Sequence, residues 1–288
     1  MPGQTGSIHA LKGLACTLII WHHLAAYGPM SDVVQSAAPR LIPWLYHYAR
    51  MAVQVFLVVG GFLSAGALTR HGQTGSTDTP RPVHISVLRR ISQRFARLAP
   101  AYWVALLVSV AIAAAVRPWF DHPSVPAAPT WRQVGAHVFM LQDLLGQPAL
   151  SAGIWYVAID LQLYAVAALV FGLVRRSESR PASTRRRAGA ATLALTAMSL
   201  LAFNRQSVLD ITALYFFGAY GLGMLAFWTT QLTSPRERLL WEGLLTLTWG
   251  AALWVDFRAR IALAGGVALA LIWLQCQSLA LAGWWSEA

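Results

Sequence analysis

The chain has 288 residues, of which 57% are hydrophobic and only 11% charged, with a formal net charge of +11. Soluble domains carry about 25% charged residues, so this composition excludes an ordinary water-soluble core and makes a lipid bilayer the expected solvent. The basic excess does not by itself imply nucleic acid, because basic residues of a membrane chain gather on the cytoplasmic side, and no nucleic-acid partner is expected.

The first apolar stretch, IHALKGLACTLIIWHHLAAYG at 8–28, is long enough to cross a bilayer, for which about 20 residues are needed. No small-residue cleavage site follows it, so it reads as a retained span rather than a signal peptide. It nevertheless carries His9, Lys12, His22 and His23. A charge at the centre of such a helix costs roughly 2.5–3.5 kcal/mol on insertion scales, so these groups need a reason to be there. Lys12 and His23 lie within roughly 20° of each other around the helix and about 16 Å apart along it. His9 falls close to the same stripe, whereas His22 is turned roughly 100° from His23. Lys12 suits snorkelling to the interface, while His23 suits proton transfer near neutral pH. Cys16 in this stretch and Cys276 near the end both sit in apolar runs. They read as small buried hydrophobes rather than as a disulfide or metal pair.

A second span is expected at 48–68, where Gly60, Gly61, Ser64 and Gly66 permit close helix approach. A basic connection over 70–97 then turns helical and runs into a third span at 98–116. In its RRISQRFARLAPAYW segment, Arg94 and Arg97 share a helix face. Guanidinium groups there suit the phosphates of a nucleotide-containing donor or a positive-inside anchor. A Pro-rich loop over 117–151 holds a short apolar piece at 134–145, too short to span and expected at the outer interface.

The fourth span, 154–174, contains Asp160, with Tyr156 and Tyr164 one turn away on either side. A buried carboxylate needs a partner or a raised pKa. It can pair an arginine, orient a histidine or lock two helices together. The basic run at 175–187 reads as a disordered cytoplasmic loop. Further spans are expected near 188–203, 208–229, 239–255 and 261–279. If 134–145 does not cross, all the basic clusters fall on one side. The expectation is an all-α, polytopic transmembrane bundle of about eight spans, one domain over 1–288, with both termini cytoplasmic.

Taken in order, these motifs resemble the bacterial acyltransferase family three, integral membrane enzymes that acylate sugars of surface polysaccharides, lipopolysaccharide and other small acceptors. That family opens on D-G-L-R-G-I-A followed by His in an R-x10-H spacing, and His9, Lys12 and His23 stand at the matching positions. AVQVFLVVGGFL at 52–63 is similar to the family's G-V-D-L-F-F-V-L-S-G-F-L, with Gln54 for Asp and Gly60 for Ser. Arg94, Arg97 and Pro100 match R-x-x-R-x-x-P, and IWYVAIDLQLY resembles L-W-S-L-S-V-E-x-Q-F-Y with Asp160 for Glu. The motifs cover the first four spans, and the later spans agree in hydropathy alone. Lysine at position 12 lacks the forked contact of the family's Arg. The family usually has ten spans, with a late S-Y-S-L-Y-L-I-H segment. The present sequence reaches GWWSEA about where that segment would begin, so the family's last two spans are expected to be missing.

The resemblance implies transfer of an acyl group, with acetyl the first expectation, from a coenzyme A thioester to a hydroxyl of a carbohydrate or glycolipid acceptor. It makes His23 the general base or a transient acyl carrier. It gives Arg94, Arg97 and Lys12 to the donor phosphates, and Asp160 to pairing a cation or orienting the acceptor. It implies no metal and no bound cofactor, acyl-coenzyme A being a co-substrate, and places the protein in the bacterial inner membrane. The residues alone leave two other readings open. One is a proton-coupled transporter, for which a polar stripe and a buried Asp are equally apt, although no internal repeat is visible. The other is a degenerate, non-catalytic membrane protein.

Overall fold

The structure, a computed structural model, describes residues 2–27, 29–70, 83–122, 124–176 and 181–286, and its regular elements there are all helical. Helix α1 (Pro2–Ala26) leads through two short helices, α2 (Pro29–Ala37) and α3 (Leu41–His47), and a 3-10 turn (Ala49–Ala52) into α4 (Val53–Arg70). After it come α5 (Val83–Val116), α6 (Trp131–Val138) and α7 (Trp155–Arg176). The chain continues as α8 (Pro181–Leu201), α9 (Ala213–Thr230), α10 (Pro235–Val255) and α11 (Ala259–Ser286).

Among the described residues, four helical stretches are long and apolar enough to cross a membrane: Leu41–Thr69, Ser86–Val116, Trp155–Arg176 and Ala259–Gln277. The other long helices fall short for visible reasons. Helix α1 carries Lys12 and three histidines, α8 begins with Arg185–Arg187 in its first turns, and α10 carries Arg236, Glu237, Arg238 and Glu242. Helix α9 is only 18 residues long and is diluted by Gly, Tyr and Thr.

Helix α9 is nonetheless the centre of the bundle, with 15 of its residues buried. A helix that is apolar all round belongs inside. Lipid tails are as apolar as leucine, so close packing rather than water exclusion must hold such a helix in place. The closest approach is between α4 and α9. A Cβ on Gly61 would collide with the Tyr220 carbonyl, and one on Gly223 would collide with the Val58 carbonyl. The two glycines thus let the two backbones touch from both sides. Gly223→Ala is expected to cost about 1–3 kcal/mol or more through overpacking, read as a lowered melting temperature in detergent. An unchanged melting temperature would show that the crossing can yield.

Side-chain contacts assemble the basic segments at one end of the bundle. Arg90 donates to the Leu68 carbonyl at the end of α4 (3.5 Å), and next to it Trp228 of α9 donates to Thr69 (3.1 Å). Just beyond α9, Arg238 donates to the Leu232 carbonyl (2.9 Å) and reaches Cys276 of α11 (3.7 Å). Arg186 of α8 pairs with Glu237 in the first turn of α10. The outer flank of α5 stays uncovered, with Val104, Leu107 and Ile112 exposed, as suits a lipid-facing side.

Several expectations are corrected. The basic run at 175–187 is not a loop throughout: Arg175 and Arg176 close α7, and Arg185–Arg187 belong to α8. Residues 177–180 lie outside the described residues, as do 71–82 of the earlier basic connection. Cys16 is exposed rather than buried, and Cys276 is half-buried. Helices α2 and α3 were not anticipated, because 9 and 7 residues are too few to display a helical period against an apolar background. The 134–145 piece is helical only as far as Val138, so it is no spanning helix. A reciprocal capping box between Thr130 and Gln133 starts α6. The buried His137 ring fixes its other end, its Nδ1 2.7 Å from the Gln133 carbonyl and its Nε2 accepting from the Leu150 amide at 3.2 Å. That pattern requires neutral imidazole with the proton on Nδ1, and burial lowers the His137 pKa in the same direction.

Candidate active site

Adjacent helical residues point about 100° apart, and α1 uses that angle to give its two adjacent histidines different partners. His22 turns toward α3, where its Nδ1 donates to the Leu45 carbonyl at 3.2 Å. Both rings line a cavity of about 630 Å³, but His23 has no such tie to the backbone among the described residues. The two rings are 5.4 Å apart at an interplanar angle of 51°, and Tyr27 closes over His23 at 5.6 Å. The His23 Nδ1 atom is buried with no hydrogen-bond partner among the described residues. A buried ring nitrogen left alone is costly. Gly153 keeps the other side of the ring open, since a Cβ there would sit 3.7 Å from Nε2.

The cavity is built from helix ends of opposite sense. The C-terminal end of α1 supplies His22, His23 and Tyr27, and the approach to α4 supplies Arg50 and Gln54. The start of α7 supplies Trp155 and Tyr156, and the entry to α11 supplies Arg258 and Arg260. So α1 runs antiparallel to α4, α7 and α11, and the cavity lies at the end of the bundle away from the basic segments at Leu68, Leu232 and Glu237. Its walls combine aromatic faces with a few convergent polar groups, which is the usual make-up of a small-molecule site.

A second polar centre lies one turn further along α7. Asp160 is buried, and its Oδ2 accepts from Arg94 Nη2 of α5 at 2.6 Å. The guanidinium also lies 5.3 Å from the centre of the Tyr164 ring, a cation–π contact that adds to the pairing. Gly60 makes room for the carboxylate, because a Cβ there would stand 3.4 Å from Asp160 Oδ1. An intramembrane charge that is paired, hydrogen-bonded and covered by aromatic rings avoids most of the cost of its burial. Tyr156, on the wall of the cavity, and Asp160 belong to one face of α7, so the ion pair holds the helix that forms that wall.

The residues singled out in the sequence therefore do not form one cluster. His23 lies in the cavity, while Arg94 and Asp160 are joined to each other beneath it. Lys12 is half-buried about three turns down α1 and does not line the cavity. Arg97 is exposed on α5, although three residues from Arg94. Neither Lys12 nor Arg97 has a side-chain partner among the described residues. Sequence reasoning missed Arg50, Arg258, Arg260, Tyr27 and Gln54 as lining residues. A signal was present in the three arginines, which fall outside the basic clusters, beside or between apolar runs.

Comparison with known proteins supplies independent information. A family model described as an acyltransferase domain matches residues 5–286, nearly the whole chain. The regulator of hypoxia-inducible factor 1 of Caenorhabditis elegans is 28% identical to the chain over 131 residues. That match takes in 45% of this chain but only 24% of the worm protein, so the chain spans about a quarter of that relative. No solved structure matches.

Proposed function

We propose, on the premise that the chain belongs to acyltransferase family three and is therefore an acyltransferase, that it moves an acyl group from coenzyme A to a sugar hydroxyl at His23. The family and the apolar helices make it a multi-pass membrane protein. Donor and acceptor are our assignment: acetyl-coenzyme A on one side, and a carbohydrate or glycolipid on the other. The observation that carries the reading is the His23 ring, which faces an aromatic-walled cavity with one buried nitrogen unpartnered.

A thioester carbonyl is already electrophilic, so the enzyme has mainly to position it and to activate the nucleophile. His23 takes the proton of the acceptor hydroxyl as its oxygen adds to the thioester carbon. The tetrahedral adduct then collapses, the C–S bond breaks, and the imidazolium returns the proton to the departing sulfur. The products are an O-acyl ester and free coenzyme A. Lys12 and Arg97, each without a partner among the described residues, are suited to donor phosphates. The roughly 16 Å between Lys12 and His23 along α1 gives an extended pantetheine arm a course from the phosphates to the base. Arg94 acts indirectly: held by Asp160, it fixes α5 against α7.

We assign the basic end to the cytoplasm by the positive-inside tendency. The cavity then opens toward the outer face, and the long helices make about eight crossings with both termini inside. For a bacterial chain the membrane is the inner one. The reaction is tested with purified protein in vesicles, acetyl-coenzyme A labelled in the acetyl group and a mixture of sugar acceptors. The label is expected to appear as an ester on the sugar, with one thiol released for each ester formed. Label that stays on coenzyme A while protons or solutes cross the vesicle would establish a transporter instead.

A further inference from the structure

Arg50, Arg258 and Arg260 line the His23 cavity, and no carboxylate among the described residues lines it. These cations stand at the end of the bundle opposite the basic clusters, where positive-inside placement does not account for them. Asp256 is the carboxylate paired nearby, but two guanidiniums share it. Its Oδ2 lies 3.4 Å from Arg258 Nε and 3.6 Å from Arg205 Nε.

The three lining arginines differ in how far their capacity is used. Arg258 is built into the fold: it donates to the Leu200 carbonyl at 2.7 Å and to Asn204. Arg260 lies 5.1 Å from the centre of the Tyr215 ring and makes two long contacts to Asn204, at 3.3 and 3.5 Å, with no carboxylate partner among the described residues. Arg50 is exposed and has no side-chain partner among the described residues. Arg50, and Arg260 through the nitrogens that it does not give to Asn204, can thus fork onto an anion, as planar guanidiniums do with phosphate or carboxylate. Trp155, Tyr156 and Phe216 supply an apolar wall beside them, with the Trp155 and Phe216 rings 5.5 Å apart.

We propose that the cavity takes an anionic acceptor, a sugar bearing a phosphate or carboxylate. Arg50 and Arg260 hold its charge, the aromatic wall holds its ring, and one hydroxyl is left facing His23. The proposal rests on the acyl-transfer reading and narrows its acceptor class. The phosphates of coenzyme A are the same chemistry from a second source. They are better served by Lys12 and Arg97, since Lys12 lies about 16 Å along α1 from His23.

Equilibrium binding to the detergent-purified full chain tests this, using glucose 1-phosphate, glucuronate and neutral methyl glucoside as probes. At least one anionic sugar is expected to bind about tenfold or more tightly than the neutral one, as one charge-assisted contact implies. The preference should fall to near unity in the Arg50→Gln/Arg260→Gln double variant. Arg50→Gln alone, at an exposed position that holds nothing else in place, should already reduce it, so a folding defect at Arg260 would not obscure the result. Equal binding of all three sugars overturns the proposal. Displacement of bound coenzyme A by the sugar phosphate also overturns it, by giving the arginines to the donor. A charge preference in a protein that leaves acetyl-coenzyme A intact would uphold the anion site and sink the acyl-transfer reading.

Discussion

Asp160→Ala is expected to destabilise the protein by about 3–5 kcal/mol, because it leaves the Arg94 guanidinium partly buried with no counter-charge. Only a quarter of the Arg94 side chain and less than a tenth of the Asp160 side chain are exposed (24% and 8%), so water cannot replace the lost partner. Arg94→Ala should cost a similar amount by stranding the carboxylate. Replacing both, as Arg94→Met with Asp160→Leu, should recover most of the stability, since an apolar pair of similar volume commonly matches a buried ion pair. Thermal unfolding of the four proteins in one detergent reads the cycle. Activity should follow stability across the set. Loss of activity in Asp160→Ala with an unchanged melting temperature would contradict a positioning role and place the carboxylate in the chemistry.

The second large effect concerns the histidine pair, in which each member controls for the other. His23→Ala should lower kcat by at least the roughly 10²–10⁴-fold that a general base contributes, with little effect on the melting temperature. His22→Ala removes a hydrogen bond to the Leu45 carbonyl and should cost about 0.5–1.5 kcal/mol of stability while leaving most of kcat. The two substitutions are alike in size and one residue apart, so a general disturbance of α1 cannot produce opposite patterns. An essential His22 beside a dispensable His23 would reverse the roles assigned to the two rings.

How much of this was legible in the sequence depended on the range of the interaction. The rotation between His22 and His23 is a property of one helix, and in the structure it ties the His22 ring to the Leu45 carbonyl and leaves His23 untied, although both rings line the cavity. The need of Asp160 for a partner was legible from burial alone, but Arg94 as that partner was not. The pair is separated by 66 positions and meets only because α5 packs along α7. Grouping Arg94 with Arg97 followed helical spacing, yet α5 rotates enough over three residues for one to face Asp160 while the other stays exposed. The glycines of α4 were readable as a packing surface. Their partner Gly223 was not, because α9 shows no period in a segment buried on all sides. The lining arginines were hidden for another reason. Charge near the end of an apolar run looks like an interfacial anchor until the helix ends are brought together.

The central claim is that the acyl group of a coenzyme A thioester reaches His23 in its cavity. Bromoacetyl-coenzyme A tests that most directly, because its bromomethyl carbon stands next to the thioester and alkylates a nearby imidazole with loss of bromide. The reaction is best run in a Cys16→Ser background, since Cys16 is an exposed thiol and a competing nucleophile. Peptide mapping by mass spectrometry should find the adduct on His23, with labelling suppressed by excess coenzyme A. An adduct on His22 or Lys12 with His23 unmodified, or labelling that coenzyme A does not suppress, would contradict the account.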